Sequence, residues 1–384
     1  MSVMKRTRSD GPTELTREQK RAFYRDGYII LKNIVPKELT QRARRLVNIT
    51  AGKILNGTMD PPKRRNRYVG SEDAITDLIN KTALTDILTN TMGPFDPPTR
   101  GFSPVLYPRE PSREIGNHGL PDDEVPNHAF FPHIDGQWSG AIPKTADEVD
   151  DWHVPKTPHF GDRSANVLGV NGTPLFQNPD CTLSLGSFTC FAVVVLSDQS
   201  KFGYGNFAVL RGAHHHTAEF FRQQRDQGGV IGPEGHGWPR LKRVGDKGVG
   251  INTLPEWIAN HYREGAQYTP DGLMWPEPTP VLAEEGDAVI SVHGIPHCGT
   301  RNDLGADPRI SAYFRLRRHR PGGAKVRGDS DHPDRGWEGE FLDYPEGYDP
   351  WQISIDKLCD PWSEWDGMQE VVAEAQNSED QSDA

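Results

Sequence analysis

Hydrophobic positions recur at helical spacing along the first quarter of the chain. Thr16 is a candidate N-cap for a helix that ends at a turn at Gly27, and Pro36 opens a second helix that runs through Ile49. Between about residues 71 and 92, apolar residues return every three or four positions, which predicts a third helix. We therefore expect an N-terminal helical layer.

At about residue 101 the pattern changes to short apolar runs between clusters of Gly, Pro and Asp, as in a sandwich or jelly roll. The predicted strands cover residues 28–31, 102–107, 131–135, 182–196, 206–211, 288–292 and 310–316. Two strand-poor segments, about 139–180 and 217–280, are too long for simple turns. Their Trp, Tyr and Phe residues favour ordered loops that cover a functional site over disordered loops.

Composition supports a folded α+β chain with a mainly β core. The 384 residues include 39 Gly and 32 Pro, which favours short strands joined by turns, and nine Trp, which argue against a disordered chain. We expect a flexible arm at 1–13, a single domain at 14–365 and a disordered acidic tail at 366–384. Within the domain we expect the helical layer at about 14–95, the jelly-roll core at about 100–320 and an extension at about 321–365.

Charge and cysteine content bear on partners and location. The formal net charge is −11, so no basic surface indicates binding to nucleic acid or to an anionic membrane. No apolar stretch approaches the roughly 18 residues of a membrane span. Four cysteines without CxxC spacing predict reduced thiols and a cytoplasmic protein, and no pattern specifies an oligomeric state.

His133 and Asp135 are the first candidates for chemistry. They are two residues apart within a predicted strand, where positions i and i+2 project from the same face. Two histidines and one carboxylate would leave three positions open on an Fe(II) ion, and this pair supplies half of such a facial triad. The other interpretation is a surface histidine beside an acidic turn residue.

A second histidine is available near the far end of the strand-rich region. An apolar strand ends in His293, and His297 follows shortly after it, so the residues alone leave either as the candidate ligand. Arg309 then opens the next strand, and its guanidinium can hold a carboxylate through two hydrogen bonds. Ser311, on the same strand face, can add a hydroxyl donor. The other interpretation of Arg309 is an ordinary surface cation.

Four ordered blocks of the sequence resemble the phytanoyl-CoA dioxygenase-like branch of the Fe(II)/2-oxoglutarate oxygenases. Residues 15–31 look like the first helix and strand of that family, and residues 133–135 match its HxD element. Residues 206–214 are similar to its glycine-rich turn, although the usual Pro and Ser are missing. Residues 286–309 match its distal His, Asn and Arg element, and this match selects His297.

The resemblance implies a double-stranded β-helix (jelly roll, cupin-like) with an N-terminal helical layer and long inserted loops. It implies Fe(II) bound by His133, Asp135 and His297, 2-oxoglutarate held by Arg309 and Ser311, and O2 as the oxidant. Halogenating relatives replace the metal carboxylate with a small residue. Because Asp135 is retained, we expect hydroxylation of a small metabolite or natural-product intermediate, with release of succinate and CO2.

The remaining candidate residues have two interpretations each. His214, His215 and His216 could indicate a metal site, but three consecutive residues do not easily converge on one ion, which favours a polar corner. Trp138 can line the substrate pocket or anchor the core. Cys298 should point away from the ligand face of its strand, so we do not expect it to bind metal.

Two other functions are compatible with the sequence. One is a cupin-like metalloprotein that acts without 2-oxoglutarate, in which replacing Arg309 would have no effect. The other is a non-catalytic binding module, which would be expected to have lost at least one of the three ligands. The segments 139–180, 217–280 and 319–365 depart from the family pattern, and we expect them to decide the substrate.

Overall fold

Helices and antiparallel sheets together form the structure, which is a computed structural model. It describes residues 11–60, 70–115, 120–134, 188–227, 237, 254–270, 272–319, 325–326, 342–343 and 356–382. Asp135 and Trp138 lie outside the described residues, as do the segment 139–180 and most of the N-terminal arm. None of the helices in the described ranges is both long and apolar enough to span a membrane.

The elements follow one another in a mixed order. The helices are α1 (Arg17–Asp26), α2 (Lys37–Leu55), α3 (Asp73–Asn80), α4 (Leu84–Thr91), α5 (Pro126–Ala129), α6 (Ala213–Gln227), α7 (Glu256–Asn260), α8 (356–359) and α9 (Gln369–Ser382). The strands are β1 (Tyr28–Leu31), β2 (Val105–Leu106), β3 (Cys190–Val195), β4 (Phe207–Val209), β5 (Gln267–Tyr268), β6 (Met274–Trp275), β7 (Thr279–Pro280), β8 (Ala288–Val292), β9 (His297–Gly299), β10 (Arg309–Leu316), β11 (Lys325–Val326) and β12 (Leu342–Asp343).

The N-terminal helices begin and end where local chemistry dictates. Thr16 and Gln19 form a reciprocal capping box at the start of α1, and Gly27 ends the helix in the left-handed conformation with φ 78°. The predicted third helix is two helices, α3 and α4. Thr82 lies between them, where its hydroxyl donates to Leu78 O at 2.9 Å and accepts from Leu84 N at 3.3 Å.

A five-stranded antiparallel sheet forms the centre of the described chain, in the order β1-β8-β3-β10-β2. The registers of its central strands pair Ser311 with Val195 and Phe191 with Ser291. A three-stranded sheet, β7-β4-β9, packs against it. Phe191 of the larger sheet and Phe207 of the smaller one meet at this contact, with ring centroids 5.9 Å apart. The rest of this mixed fold is arranged around these two sheets.

Two apolar cores lie around the sheets. The larger core joins the five-stranded sheet to α1–α4 and to the C-terminal segment, through buried residues such as Phe23, Leu78 and Trp365. The second core lies around β4 and β6 and includes Phe131, Phe221 and Trp275. It packs α6 and α7 against the small sheet. These two helices supply part of the ordered covering segment expected between residues 217 and 280.

The expected disordered tail is wrong for residues 366–382, which form a 3-10 turn and α9. Met368 is fully buried and Val371 is 3% exposed. The acidic groups do not repel the fold because cations from distant parts of the chain face them. Glu374 pairs with Arg17 and, at 2.9 Å, with Arg21 of α1.

Replacing Met368 with Ala tests whether this segment belongs to the fold. Because the side chain is fully buried, we expect the free energy of unfolding to fall by about 2–5 kcal/mol in a denaturant titration. The exposed Asn377→Ala variant of α9 is the control and should change it by no more than about 0.5 kcal/mol. Equal effects of the two variants would indicate that residues 366–382 are disordered, as the sequence predicted.

Candidate metal and co-substrate site

His133 and His297 are directly opposite each other on two neighbouring segments. The His133 N–H donates to His297 O at 3.1 Å, and the His297 N–H donates to His133 O at 2.9 Å. In an antiparallel pair of this kind both side chains project from the same face. Their ring centroids lie 4.8 Å apart, so the fold brings together two histidines from opposite ends of the strand-rich region.

The hydrogen bonds of the two imidazoles define which nitrogen carries the lone pair. His133 Nδ1 lies 3.1 Å from Phe131 O, and His297 Nδ1 lies 2.9 Å from Ile295 O. A carbonyl oxygen can only accept, so both Nδ1 atoms are donors and each neutral ring has its lone pair on Nε2. This second hydrogen bond is the arrangement that orients metal-binding histidines.

The third expected ligand, Asp135, lies outside the described residues. Within the part of the chain that the structure describes, no group of three His, Cys, Asp or Glu side chains could hold a metal ion. His293, the other candidate for the distal position, directly follows β8 and is buried with its ring edge-on to Phe188 at 5.1 Å. Of the two distal candidates, it is His297 that forms the backbone bridge to His133.

Aromatic rings surround His297 and connect it to the five-stranded sheet. Phe191 and Phe207 lie 5.4 Å and 5.3 Å from the imidazole, measured between ring centroids. Phe191 is also 5.4 Å from Tyr313, whose ring lies 5.7 Å from the guanidinium carbon of Arg309. The two histidines and Arg309 therefore border one largely apolar region between the sheets.

Arg309 is buried and reaches the strand that carries His297. Its side chain is only 3% exposed, and Nε donates to Gly205 O at 2.6 Å. Nη2 would lie 2.8 Å from a Cβ atom built on Gly299, so the guanidinium rests against β9 where no side chain is present. Nη1 is buried and has no hydrogen-bond partner among the described residues. A buried cation with an unused donor fits an anionic ligand.

Ser311 is fully buried on the strand that begins with Arg309. Its hydroxyl accepts a hydrogen bond from Gln199 Nε2 at 2.9 Å, which leaves the hydroxyl proton to be donated elsewhere. Sequence reasoning missed Gln199 because nothing in its local pattern marks it. Its position depends on the pairing of β3 with β10, which also places Ser311 opposite Val195.

A cavity of about 350 Å³ borders the residue before His133. Its lining includes Pro132, Leu254, Met274 and Trp275, with Arg263 as a polar contributor. Such a largely apolar cavity with a few polar groups is typical of small-molecule sites. The described residues thus offer space for a small molecule on the Pro132 side of the candidate ligand.

The three consecutive histidines begin α6 and contact different groups. His214 and His215 each direct Nε2 to Tyr24 O at 2.9 Å, whereas His216 stacks on His261 with ring centroids 3.8 Å apart. Burial, together with the charge of neighbouring histidines, holds the pKa of His214 well below its usual range. These contacts agree with a polar corner and not with convergence on one ion.

Comparisons with known proteins give structural neighbours only. No protein-family model matches the chain, and no curated protein does. Among solved structures, HygX from Streptomyces hygroscopicus, with nickel and 2-oxoglutarate bound, is 15% identical, covers 79% of this chain and 88% of its own, and has a TM-score of 0.36. The non-heme alpha ketoglutarate dependent carbocyclase SnoK from nogalamycin biosynthesis is 11% identical, with 80% and 87% covered and a TM-score of 0.37.

A third solved structure, AviO1 from Streptomyces viridochromogenes, is 11% identical to the chain. The match covers 80% of this chain and 95% of that one, with a TM-score of 0.36. At these identities and TM-scores the likenesses carry no weight for the function of this chain.

The histidine stack between α6 and α7 predicts a loss of stability in mild acid. Burial, followed by the charge of His261, lowers the pKa of His216 from 6.5 to about 4. As pH falls from about 6.5 to about 4, the unfolded chain binds a proton there that the folded chain does not, so the free energy of unfolding decreases. On unfolding, the His216→Asn variant should take up as much as one proton fewer than the parent protein. Denaturant titrations at several pH values in this range measure the uptake as the slope of the free energy of unfolding against pH. An unchanged pH dependence would contradict the assignment.

Proposed function

We propose that this protein is a non-haem Fe(II)- and 2-oxoglutarate-dependent dioxygenase that hydroxylates a small metabolite or natural-product intermediate. One observation carries the proposal. The buried guanidinium of Arg309 lies against Gly299, two residues along β9 from His297, and has an unused donor. Alternate residues on a strand share a face and are roughly 6.6 Å apart. The spacing suits a short dicarboxylate between a metal on His297 and the arginine.

The iron end of the site would use His133, Asp135 and His297. The carbonyl contacts leave the lone pairs of both imidazoles on Nε2, and the backbone bridge places the two rings on one face. Asp135 follows His133 by two residues, so in an extended chain its carboxylate would project on the same side. Two histidines and a carboxylate with open positions are the ligand set of non-haem Fe(II) oxygenases.

The co-substrate end would use Arg309 and Ser311, with Gln199 as the residue that orients the serine. Nη1 of Arg309 would donate to the far carboxylate of 2-oxoglutarate, to which the Ser311 hydroxyl can add a second hydrogen bond. Gly205 O holds Nε of Arg309, so the guanidinium plane is fixed before any ligand binds. This preorganisation reduces the entropic cost of binding.

When bound, Fe(II) with 2-oxoglutarate and O2 supplies the oxidation of a substrate C–H bond, with release of succinate and CO2. The residues of this chain hold the reactants and exclude water. Phe191, Phe207 and Tyr313 give the region an apolar wall, which favours a dry site. The substrate would lie beside the two histidines, and Trp138 remains a candidate for the lining of that space.

We also propose a fold type, a single domain and a cellular location for this protein. The two antiparallel sheets that face each other through Phe191 and Phe207 are compatible with a double-stranded β-helix of the jelly-roll type. We assign residues 14–382 to a single oxygenase domain, since α9 packs on α1. We also propose a cytoplasmic protein that acts on a small molecule and has no nucleic-acid or membrane partner.

Binding of Fe(II) and then 2-oxoglutarate without oxygen tests the proposal. We expect the visible charge-transfer band of the iron chelate in the parent protein, because both ends of the co-substrate find ligands. Arg309→Ala should weaken 2-oxoglutarate binding by about 10–100-fold, since it removes hydrogen bonds to a charged group. His297→Ala should abolish the band. Arg317→Ala, just beyond the end of β10, is the matched control and should leave the band unchanged.

Iron binding with no chelate band would contradict the use of 2-oxoglutarate and favour a cupin-like metalloprotein. Absence of iron binding altogether would favour a non-catalytic binding module. An Arg309→Ala protein that binds 2-oxoglutarate as tightly as the parent would show that the arginine is not the carboxylate clamp.

Gly299→Ala tests the contact that carries the proposal. The new methyl would lie 2.8 Å from Arg309 Nη2, so the guanidinium must shift while the backbone keeps its conformation. We expect 2-oxoglutarate affinity to fall by about tenfold or more, with Fe(II) affinity and stability nearly unchanged. Gly52→Ala is the control, because nothing lies within 4 Å of its Cβ position. Unchanged 2-oxoglutarate affinity in Gly299→Ala would contradict this geometry.

A further inference from the structure

The turn that precedes His133 has an unusual backbone. Asn127, His128 and Ala129 have φ values of 54°, 55° and 57°, so α5 is a left-handed turn. Residues with a Cβ atom disfavour this region, and even Asn adopts it mostly as a single residue. Three such residues in succession, including His and Ala, persist only where the surrounding structure holds them.

His128 makes the contacts that hold this turn. Its Nδ1 donates to Asp303 Oδ1 at 2.6 Å, and its backbone carbonyl accepts from Arg301 N, also at 2.6 Å. The imidazole is edge-on to Phe202, with ring centroids 4.5 Å apart. The side chain and the backbone of His128 are therefore both fixed by the segment that follows β9.

Asp303 lies at the end of a series of ion pairs. Arg301 Nε donates to Asp303 Oδ2 at 3.0 Å, and Arg301 Nη1 donates to Asp122 Oδ2 at 3.1 Å. Arg109 binds the same Asp122 carboxylate through two hydrogen bonds, of 2.8 and 2.9 Å. The side chains of Arg301 and Asp122 are only 7% and 8% exposed. Each carboxylate in this series has a cation beside it, so none is left without a counter-charge.

The same two segments carry the candidate iron ligands. His133 and His297 form one link between them, and His128 with Arg301 and Asp303 forms a second link a few residues away. The left-handed turn contains the second link and sets where the chain from Phe130 to His133 runs. Strained backbone of this kind clusters at functional sites, and this turn directly precedes a candidate ligand.

We propose that His128 and Asp303 are positioning residues for the iron ligand His133. Their hydrogen bond keeps the left-handed turn closed, and the closed turn keeps His133 in register with His297. This inference rests on the proposed function for the identity of the metal. The positioning itself is a property of the protein without metal and can be measured separately.

Asp303→Ala and His128→Leu break the hydrogen-bonded pair, and two measurements follow the result. In anaerobic titrations we expect Fe(II) affinity to fall by about 10–100-fold, the effect typical of partners that orient metal ligands. In hydrogen exchange of the metal-free protein, the amides of His133 and His297 should exchange at least several-fold faster. The amides of β3 and β8 should keep their rates.

Two variants make the test specific. Asp96→Ala breaks a similar contact between a carboxylate and His319, 2.8 Å long and exposed, and should change neither measurement. His128→Asn should retain most of the parent affinity, because Asn tolerates the left-handed region and can still donate to Asp303. If His128→Leu fails to fold, Asp303→Ala tests the pair from its other side.

The proposal is overturned if Asp303→Ala leaves exchange at His133 and His297 unchanged. It is also overturned if exchange quickens equally throughout β3 and β8, because the pair would then only stabilise the whole fold. A parent protein that binds no Fe(II) would contradict the proposed function alone. In that case, faster exchange confined to the two bridge amides would still support the positioning role.

Discussion

Two reciprocal backbone hydrogen bonds between His133 and His297 bring the candidate ligands together. The bonds, of 3.1 and 2.9 Å, place both imidazoles on one face, although the two residues belong to segments far apart in sequence. Carbonyls two residues earlier in each segment bind the Nδ1 atoms and so direct the Nε2 lone pairs. If the bridge slipped by one residue, one of the rings would project from the opposite face.

The pairing of β9 with its neighbour also fixes where Arg309 lies at the co-substrate end of the site. β9 pairs with β4, and Gly299 of β9 leaves room for the guanidinium of Arg309, which comes from β10 of the other sheet. The carbonyl of Gly205 fixes Nε of that arginine. The proposed metal and anion positions are thus set by strand register and by one missing side chain, so both ends of the site depend on the same two sheets.

Local signals in the sequence identified much of the fold. The strand expected at 288–292 coincides with β8, and Thr16 caps α1 as its position predicted. The sequence named His133 and a distal histidine as candidates for one site, and in the structure His133 lies opposite His297. The identities of the ligands and of the carboxylate clamp remain predictions, since Asp135 lies outside the described residues.

Other features could not be predicted because they depend on long-range contacts. Gln199 reaches Ser311 only through the pairing of β3 with β10. The tail appeared disordered from its own charges, but Arg17 and Arg21 of α1 neutralise Glu374, and α9 packs on the core. The left-handed turn at 127–129 has no glycine to mark it, since contacts made by Arg301 and Asp303 hold it in place.

Diffraction from crystals grown without oxygen in the presence of Fe(II) and 2-oxoglutarate would test the central claim most directly. Anomalous scattering at the iron edge would locate the metal independently of the protein model used for phasing. We predict one iron bonded to Nε2 of both His133 and His297, with the far carboxylate of 2-oxoglutarate on Arg309. Iron bound elsewhere, or 2-oxoglutarate with no contact to Arg309, would contradict the account.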